Sequence, residues 1–101
     1  LELNHEDLVG NVYPLESGYH FNFNEGPDED PSPQKPDENH GTNCAGLIAA
    51  RGFNNIGVIG VAPEARLMGL RLIAGDNDDE STAVAFLWQP EGLTTHVSSN
   101  S

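Results

Sequence analysis

Among the side chains of this sequence, the imidazole of His40 is the best suited to acid–base chemistry. It begins the run His-Gly-Thr-Asn-Cys-Ala-Gly, in which small residues follow it closely. Imidazole titrates near neutral pH, so a histidine that faces a cleft can act as a general base. A lone histidine is more often a hydrogen-bonded structural residue, and only its surroundings decide between these two interpretations.

No nucleophile accompanies His40 in a recognisable motif. None of the serines lies in the glycine-framed turn that presents a serine nucleophile, so we assign that role to none of them. They are Ser17, Ser32, Ser81, Ser98, Ser99 and Ser101. The single cysteine, Cys44, has no basic neighbour that would favour a thiolate, and we interpret it as buried packing.

The residues after His40 predict the element that positions it. Their small size favours a tightly packed helix over residues 40–51, which Gly52 ends. Gly46 lowers the helix propensity of this segment. We interpret Gly46 as a position where a close neighbour leaves no room for a side chain.

Strands are predicted on both sides of this helix. Residues 19–24 alternate in character, and residues 67–73 form the nearly continuous apolar run of a buried parallel strand. Ser81 or Thr82 is expected to cap a further short helix, and residues 94–101 are typical of another strand. This order predicts an α/β fold with a parallel sheet.

The charge balance excludes some classes of function. Sixteen acidic residues against four basic ones give a net charge of −12, which argues against a nucleic-acid partner. Residues 25–39 combine four prolines with six acids, so we expect a long exposed loop there. The 37% hydrophobic content suits one small domain, and no apolar run reaches the roughly 18 residues of a membrane span.

Taken together, several stretches resemble the subtilisin family of serine proteases, and most closely its kexin and furin branch. The stretches that match the family's histidine block are residues 40–46, 54–63 and 65–67. Residues 1–8 are similar to the segment that follows the family's catalytic aspartate. Asn22, Asp30 and residues 99–101 resemble the kexin and furin branch in particular.

The resemblance implies a partial subtilisin-like three-layer α/β fold with a parallel central sheet, truncated at both ends. Residues 1–101 would be one segment of a single peptidase catalytic domain, with an acidic loop at 25–39, a histidine helix at 40–51 and a calcium-type loop at 51–58.

The resemblance also implies an activity, that of a serine-type endopeptidase acting on polypeptides in a secreted or extracytoplasmic setting. His40 would be the general base. The aspartate that orients it would precede Leu1 and the serine would follow Ser101, so we expect this segment alone to be inactive.

A structural Ca²⁺ site is implied as well. The ligands that the resemblance assigns are the side chains of Asp7 and Asn54 and the backbone carbonyls of Arg51, Ile56 and Val58. Calcium is bound by six to eight such oxygens. The choice between Asn54 and Asn55 stays open, as does a simple turn without metal.

The kexin branch has a second calcium site in the loop before the histidine. Its counterparts here are Asn22, Asp30 and Ser32, so two of three carboxylates are replaced and we expect at most weak binding. Zinc is disfavoured, because the histidines and Cys44 lack a paired spacing.

Two further segments resemble substrate-binding parts of the family. Asp37 resembles an acid that lines the pocket for a basic residue next to the cleavage site, although a solvated loop acid is an equally simple interpretation. Ser99 and Ser101 resemble the edge strand that pairs with an extended substrate.

Two alternatives remain at this point. The chain could be a non-catalytic calcium-binding or interaction module on a subtilase scaffold. It could also be an unrelated acidic α/β domain, which would make the match over residues 40–63 a coincidence.

Overall fold

The computed structural model describes residues 1–24 and 30–100. Its regular elements are a single 3-10 turn at Leu15–Ser17, strand β1 at Phe21–Asn22, helix α1 at His40–Ala49, strand β2 at Leu70–Arg71 and helix α2 at Asp79–Leu87. The two strands pair in parallel, with Phe21 opposite Leu70 and Asn22 opposite Arg71. Since α1 lies between them in the chain, the predicted α/β class with a parallel sheet is confirmed.

The regular elements are shorter than their sequence patterns suggest. Of the predicted strands at 19–24 and 67–73, two residues each are paired, and an isolated parallel bridge joins Val12 to Leu67. In a two-stranded sheet, each strand has a hydrogen-bonded neighbour on one side only. Helix α1 ends at Ala49, before the predicted limit at residue 51, because Ala50 adopts extended angles of φ −59° and ψ 137°.

The carboxyl end of α1 is firmly anchored. A helix leaves its last carbonyl groups without partners inside the helix. Backbone N–H groups of residues 60–62 donate to three of these carbonyls. The pairs are Gly60 to Ala50, Val61 to Leu47 and Ala62 to Ile48, at 2.9, 3.0 and 2.7 Å.

The side chain of Asn11 completes this anchor. Its Nδ2 donates to the carbonyls of Ala49 at 2.9 Å and Pro63 at 2.6 Å. Its own backbone carbonyl accepts the N–H of Leu67 at 2.8 Å. Asn11 is buried, and it ties the first segment of the chain to the end of α1 and to the approach of β2.

Close backbone packing at α1 occurs at Gly60 and not at Gly46. A Cβ atom built on Gly60 would lie 2.5–2.7 Å from backbone atoms of residues 48–50, so only glycine fits there. A Cβ built on Gly46 meets nothing within 4 Å. The prediction of a close neighbour at Gly46 is therefore wrong, because residues 60–62 pack against the end of the helix and not against the face that carries Gly46.

A buried histidine supports the sheet. The His20 ring is fully buried, its Nδ1 accepts the backbone N–H of Gly69 at 2.9 Å, and its Nε2 lies 2.8 Å from the Tyr13 carbonyl. Since a carbonyl only accepts, Nε2 carries the proton and the ring is the neutral Nε2–H tautomer. His20 is thus a structural residue next to the parallel strand pair.

Helix α2 begins earlier than predicted. Its N-cap is Asp78, whose carboxylate accepts the backbone N–H of Ser81 at 2.7 Å and which has the extended backbone of a capping residue. The expectation that Ser81 or Thr82 caps this helix is wrong, because an acid was available three residues earlier. The N–H bond from Ser81 lowers the pKa of Asp78.

Residues 94–100 do not form the predicted strand. No regular element is assigned to them, and among the described residues no backbone hydrogen bond joins them to β1 or β2. A strand requires a ladder partner, and these residues, most of which are polar and exposed, have none in the described part of the chain.

The core is small and lies beneath α1. Its buried side chains are Leu3, Leu8, Val12, Ala45 and Ala50, with Leu1 and Leu67 packed against them. At the other end of the sheet, Trp88 donates from Nε1 to the Tyr19 carbonyl at 3.2 Å. Its ring centroid lies 4.9 Å from that of Phe21, with the two ring planes tilted by 44°. Within residues 1–24 and 30–100, neither helix has the length and apolar character needed to cross a bilayer.

The anchor at Asn11 generates a stability prediction. Replacing Asn11 by Ala leaves two carbonyl groups without their donor, at a cost of about 1–3 kcal/mol for each that stays buried. We expect the apparent Tm of the complete gene product to fall clearly on Asn11→Ala and to change little on Asn4→Ala, an exposed control. Equal melting of the two variants would contradict the role given to Asn11.

Candidate active site

His40 is the first residue of α1, and its side chain is exposed. The N-cap, Asn39, makes no side-chain capping bond. The amino end of α1 is therefore open to solvent, whereas its carboxyl end is held by the bonds to residues 60–62 and Asn11. The helix thus presents an accessible imidazole at its amino end.

Cys44 lies one turn further along the same face of α1, as residues four apart on a helix do. Its sulfur is 3.7 Å from Nε2 of His40, and the side chain is half-buried. The interpretation of Cys44 as buried packing is wrong, because the i+4 position places it beside an exposed histidine and not in the core.

The first residues of the chain lie against the first turn of α1. The backbone N–H of Glu2 donates to Oγ1 of Thr42 at 2.9 Å. A Cβ built on Gly41 would lie 3.6 Å from the backbone nitrogen of Leu1. The backbone at Leu1 is thus next to the residue that follows His40.

An ion pair fixes the segment that leads into α1. Oε2 of Glu38 lies 2.8 Å from Nη2 of Arg71, with only 14% and 5% of the two side chains exposed. The same oxygen accepts the backbone N–H of Gln34 at 2.8 Å. The Gln34 N–H and, next, the Arg71 guanidinium lower the pKa of Glu38. The pair is therefore present at neutral pH and is lost only as the pH falls through that lowered pKa.

Sequence reasoning missed this ion pair, since 33 residues separate its members. A signal was available, however. Arg71 lies in the middle of the apolar run 67–73, and a cation in a buried strand requires an anionic partner. Which of the many acids supplies that partner depends on the path of the loop before α1, which no sequence spacing encodes.

The predicted substrate-binding residues are not gathered into one pocket by the described residues. Asp37 is exposed beside Glu38, and Ser99 is exposed in the irregular segment 94–100. Ser101 lies outside the described residues. A cleft of about 430 Å³ does occur between residues 5–8, α1 and Val58, but His40 does not line it.

Asp7 is the centre of the predicted calcium loop. It is buried, its Oδ2 accepts the backbone N–H of Val58 at 2.8 Å, and its carbonyl accepts the N–H of Arg51 at 2.8 Å. Both ends of the loop 51–58 are therefore joined to one residue. Oδ1 of Asp7 is buried and has no hydrogen-bond partner among the described residues, which is the condition that a bound cation would relieve.

The remaining predicted ligands lie on the outer part of this loop. Asn54 and Ile56 are exposed, and Oδ1 of Asn54 accepts the Ile56 N–H at 3.4 Å. Asn55 and Gly57 both adopt left-handed backbone angles, with φ 61° and φ 50°. A Cβ on Gly57 would overlap the Asp7 carboxylate. This geometry brings Asp7, Arg51 and Val58 together and leaves the choice between Asn54 and Asn55 open.

The candidates for the second calcium site take part in local turns. Oδ1 of Asn22 accepts the N–H of Asn24 at 3.0 Å, and Oδ1 of Asp30 accepts the N–H of Ser32 at 2.9 Å. Asn22 is fully buried in β1. Within residues 1–24 and 30–100, no cluster of three or more His, Cys, Asp or Glu side chains is suited to a metal ion.

Comparison with known proteins agrees with this architecture. Residues 1–99 match the profile of the Subtilase family. The chain is 38% identical over 100 residues to Furin-like protease 2 of Drosophila melanogaster and 38% identical over 104 residues to human Furin, in each case with 98% of the chain covered. It is 37% identical over 89 residues to the Dibasic-processing endoprotease of Yarrowia lipolytica, with 88% of the chain covered.

These relatives are much longer proteins. The chain spans 6% of the Drosophila protein, 12% of human Furin and 9% of the Yarrowia protein. The profile match extends over nearly all of the chain and spans His40 with its helix. The chain belongs to the subtilase family.

Proposed function

We propose that this chain is the histidine-bearing part of a subtilisin-type serine endopeptidase, with His40 as the general base. The observation that carries the proposal is the exposed imidazole at the open end of a helix whose other end is anchored. In this role, Nε2 of His40 accepts the proton of the serine hydroxyl as that oxygen attacks the peptide carbonyl, and later delivers it to the leaving amine.

The position of the first residues supports an orienting carboxylate near His40. Leu1 and Glu2 lie against the first turn of α1. Residues that directly precede Leu1 in the complete gene product would therefore lie close to His40. An aspartate there would hold the imidazole in the productive tautomer and stabilise its protonated form. The serine would be supplied by residues that follow Ser101.

We propose polypeptide substrates with a basic residue next to the scissile bond. Asp37 is an exposed carboxylate three residues before His40, and such a charge favours Lys or Arg in a neighbouring pocket. The name of the Yarrowia relative describes processing at dibasic sites, which is consistent with this preference. Ser99 and Ser101 would line the extended substrate once their segment pairs with it, and a secreted or extracytoplasmic location fits the same class.

Loss of His40 tests the catalytic assignment. In the complete gene product, freed of any preceding segment by the same added protease, His40→Ala should lower kcat by several orders of magnitude. The matched control is His96→Ala, which removes an exposed histidine outside α1. Because it lies in the segment proposed to pair with substrate, its KM can change, but its kcat should stay close to that of the wild type. Hydrolysis of fluorogenic peptides provides the measurement, with circular dichroism to verify folding.

The outcome also separates the alternatives. If His40→Ala retained the rate of the wild type, His40 would not be the base. If folded wild type and variant were equally inactive on every peptide, a non-catalytic calcium-binding or interaction module on the same scaffold would replace the endopeptidase assignment.

We also propose that the loop 51–58 holds a structural Ca²⁺. The buried Oδ1 of Asp7 lacks a partner, and Oδ2 already accepts from the loop at Val58, so the carboxylate is fixed and has an oxygen to offer. Arg51, Ile56 and Val58 would contribute carbonyls and Asn54 its amide oxygen. The ion would supply a positive charge that compensates the buried Asp7 and closes the loop.

Calcium dependence of the apparent Tm tests this site. A ligand at 100 times its Kd stabilises a protein by about 2.7 kcal/mol, so the complete gene product should melt at a clearly higher temperature in calcium than in chelator. Asp7→Asn keeps the shape of the side chain but removes its charge, and it should abolish most of that difference. Asp76→Asn, a change at an exposed acid outside the loop, should leave it intact; an undiminished calcium effect in Asp7→Asn would reject the site.

A further inference from the structure

We propose that Glu38 is a positioning residue, which holds Asp37 at a fixed place beside His40 through its ion pair with Arg71. The inference rests on the function proposed above, because Asp37 must first select basic substrates. It assigns to Glu38 and Arg71 a part in specificity although neither side chain is free to contact a substrate.

Hydrogen bonds of Glu38 close a turn that contains Asp37. Oε2 of Glu38 accepts the N–H of Gln34 at 2.8 Å, and the N–H of Glu38 donates to the Lys35 carbonyl at 3.1 Å. These two bonds close a compact turn in which Lys35, Pro36 and Asp37 are the inner residues. The carboxylate of Glu38 therefore shapes the turn from which the Asp37 side chain projects into solvent.

The ion pair attaches this turn to the sheet. Arg71 lies in β2, where it is paired in register with Asn22 of β1, and its side chain is 5% exposed. Asn39 provides no side-chain cap for α1. Among the described contacts of residues 34–39, the bond from Glu38 to Arg71 is the side-chain link to the sheet, so it sets where Asp37 stands relative to His40.

A fixed position matters for electrostatic selectivity. The attraction between two charges falls with their separation. Solvent and salt strongly screen the attraction of a mobile, fully exposed carboxylate for a substrate cation. Holding Asp37 in a closed turn keeps its charge at one distance from a bound substrate. Glu38 itself is a poor candidate for direct contact, because its side chain is 14% exposed and Arg71 already neutralises it.

The test measures selectivity in the complete gene product. Peptide pairs differ only in arginine or its neutral isostere citrulline at one of the two residues before the scissile bond, and the readout is the ratio of the two kcat/KM values. Asp37→Asn should lower this ratio at one position. Glu38→Gln should lower the ratio at the same position, by about tenfold, while hydrolysis of the citrulline peptide changes much less. Glu91→Gln, an exposed acid elsewhere, serves as the control and should leave the ratio unchanged.

The Arg71→Gln variant distinguishes positioning from direct contact. If Glu38 positions Asp37, removing Arg71 releases the turn and lowers the ratio as Glu38→Gln does. If Glu38 binds the substrate itself, removing its cation raises the ratio, which would overturn the proposal. The double variant Glu38→Gln/Arg71→Gln removes both charges of this ion pair and should be tolerated better than either single variant. Its ratio should be close to that of Glu38→Gln, because the two changes break one link.

The selectivity ratios distinguish failure of the substrate preference proposed for Asp37 from failure of the positioning role proposed for Glu38. If wild type cleaves neither peptide, or if Asp37→Asn leaves every ratio unchanged, the substrate preference proposed for Asp37 fails and the positioning role fails with it. If Asp37→Asn lowers the ratio but Glu38→Gln slows both peptides equally, Asp37 keeps its role and Glu38 is merely structural.

Discussion

The anchoring of the carboxyl end of α1 is the interaction on which the rest of the described structure depends. Carbonyls of the last turn are matched by N–H groups of residues 60–62 and by the side chain of Asn11. Each such carbonyl that is buried without a partner would cost about 1–3 kcal/mol. The same contacts force the chain after α1 to turn back under the helix, which brings Leu67 beside Asn11 and directs β2 alongside β1.

This anchor makes the two ends of α1 unlike each other, and that difference carries the functional argument. The carboxyl end is hydrogen-bonded to residues 60–62 and to Asn11, while the amino end has no side-chain cap and exposes His40. Contacts from outside the helix stabilise its amino end. Glu2 bonds to Thr42, and Glu38 bonds to Arg71 in the sheet, so an accessible imidazole is held between two fixed segments.

Sequence patterns sufficed for the elements whose cause is local. The apolar run at 67–73 and the alternation at 19–24 locate both strands, and the small residues after His40 locate α1. The helix cap at Asp78, the half-exposed Cys44 and the close packing at Gly60 were assigned differently, because each depends on which segment lies opposite. The strand expected at 94–101 has no partner among the described residues, and polar alternation alone does not supply one.

The candidate site shows the same division. His40 and Asp7 were predicted as site residues from the resemblance of the short runs that contain them to the subtilisin family. The pairing of Glu38 with Arg71, and the unpartnered Oδ1 of Asp7, arise from segments that are distant in sequence. A buried arginine in an apolar strand indicates that an acidic side chain pairs with it. Only the folded path of residues 30–39 identifies Glu38 as that acid.

The most direct test of the central claim is covalent labelling of the complete gene product with a peptidyl chloromethyl ketone that carries a basic residue next to the reactive carbon. If His40 is the catalytic base, its Nε2 should be alkylated in proportion to the loss of activity, and mass spectrometry should locate the label on the peptide that contains His40. Inactivation of the folded protein with no label on His40 would contradict the account.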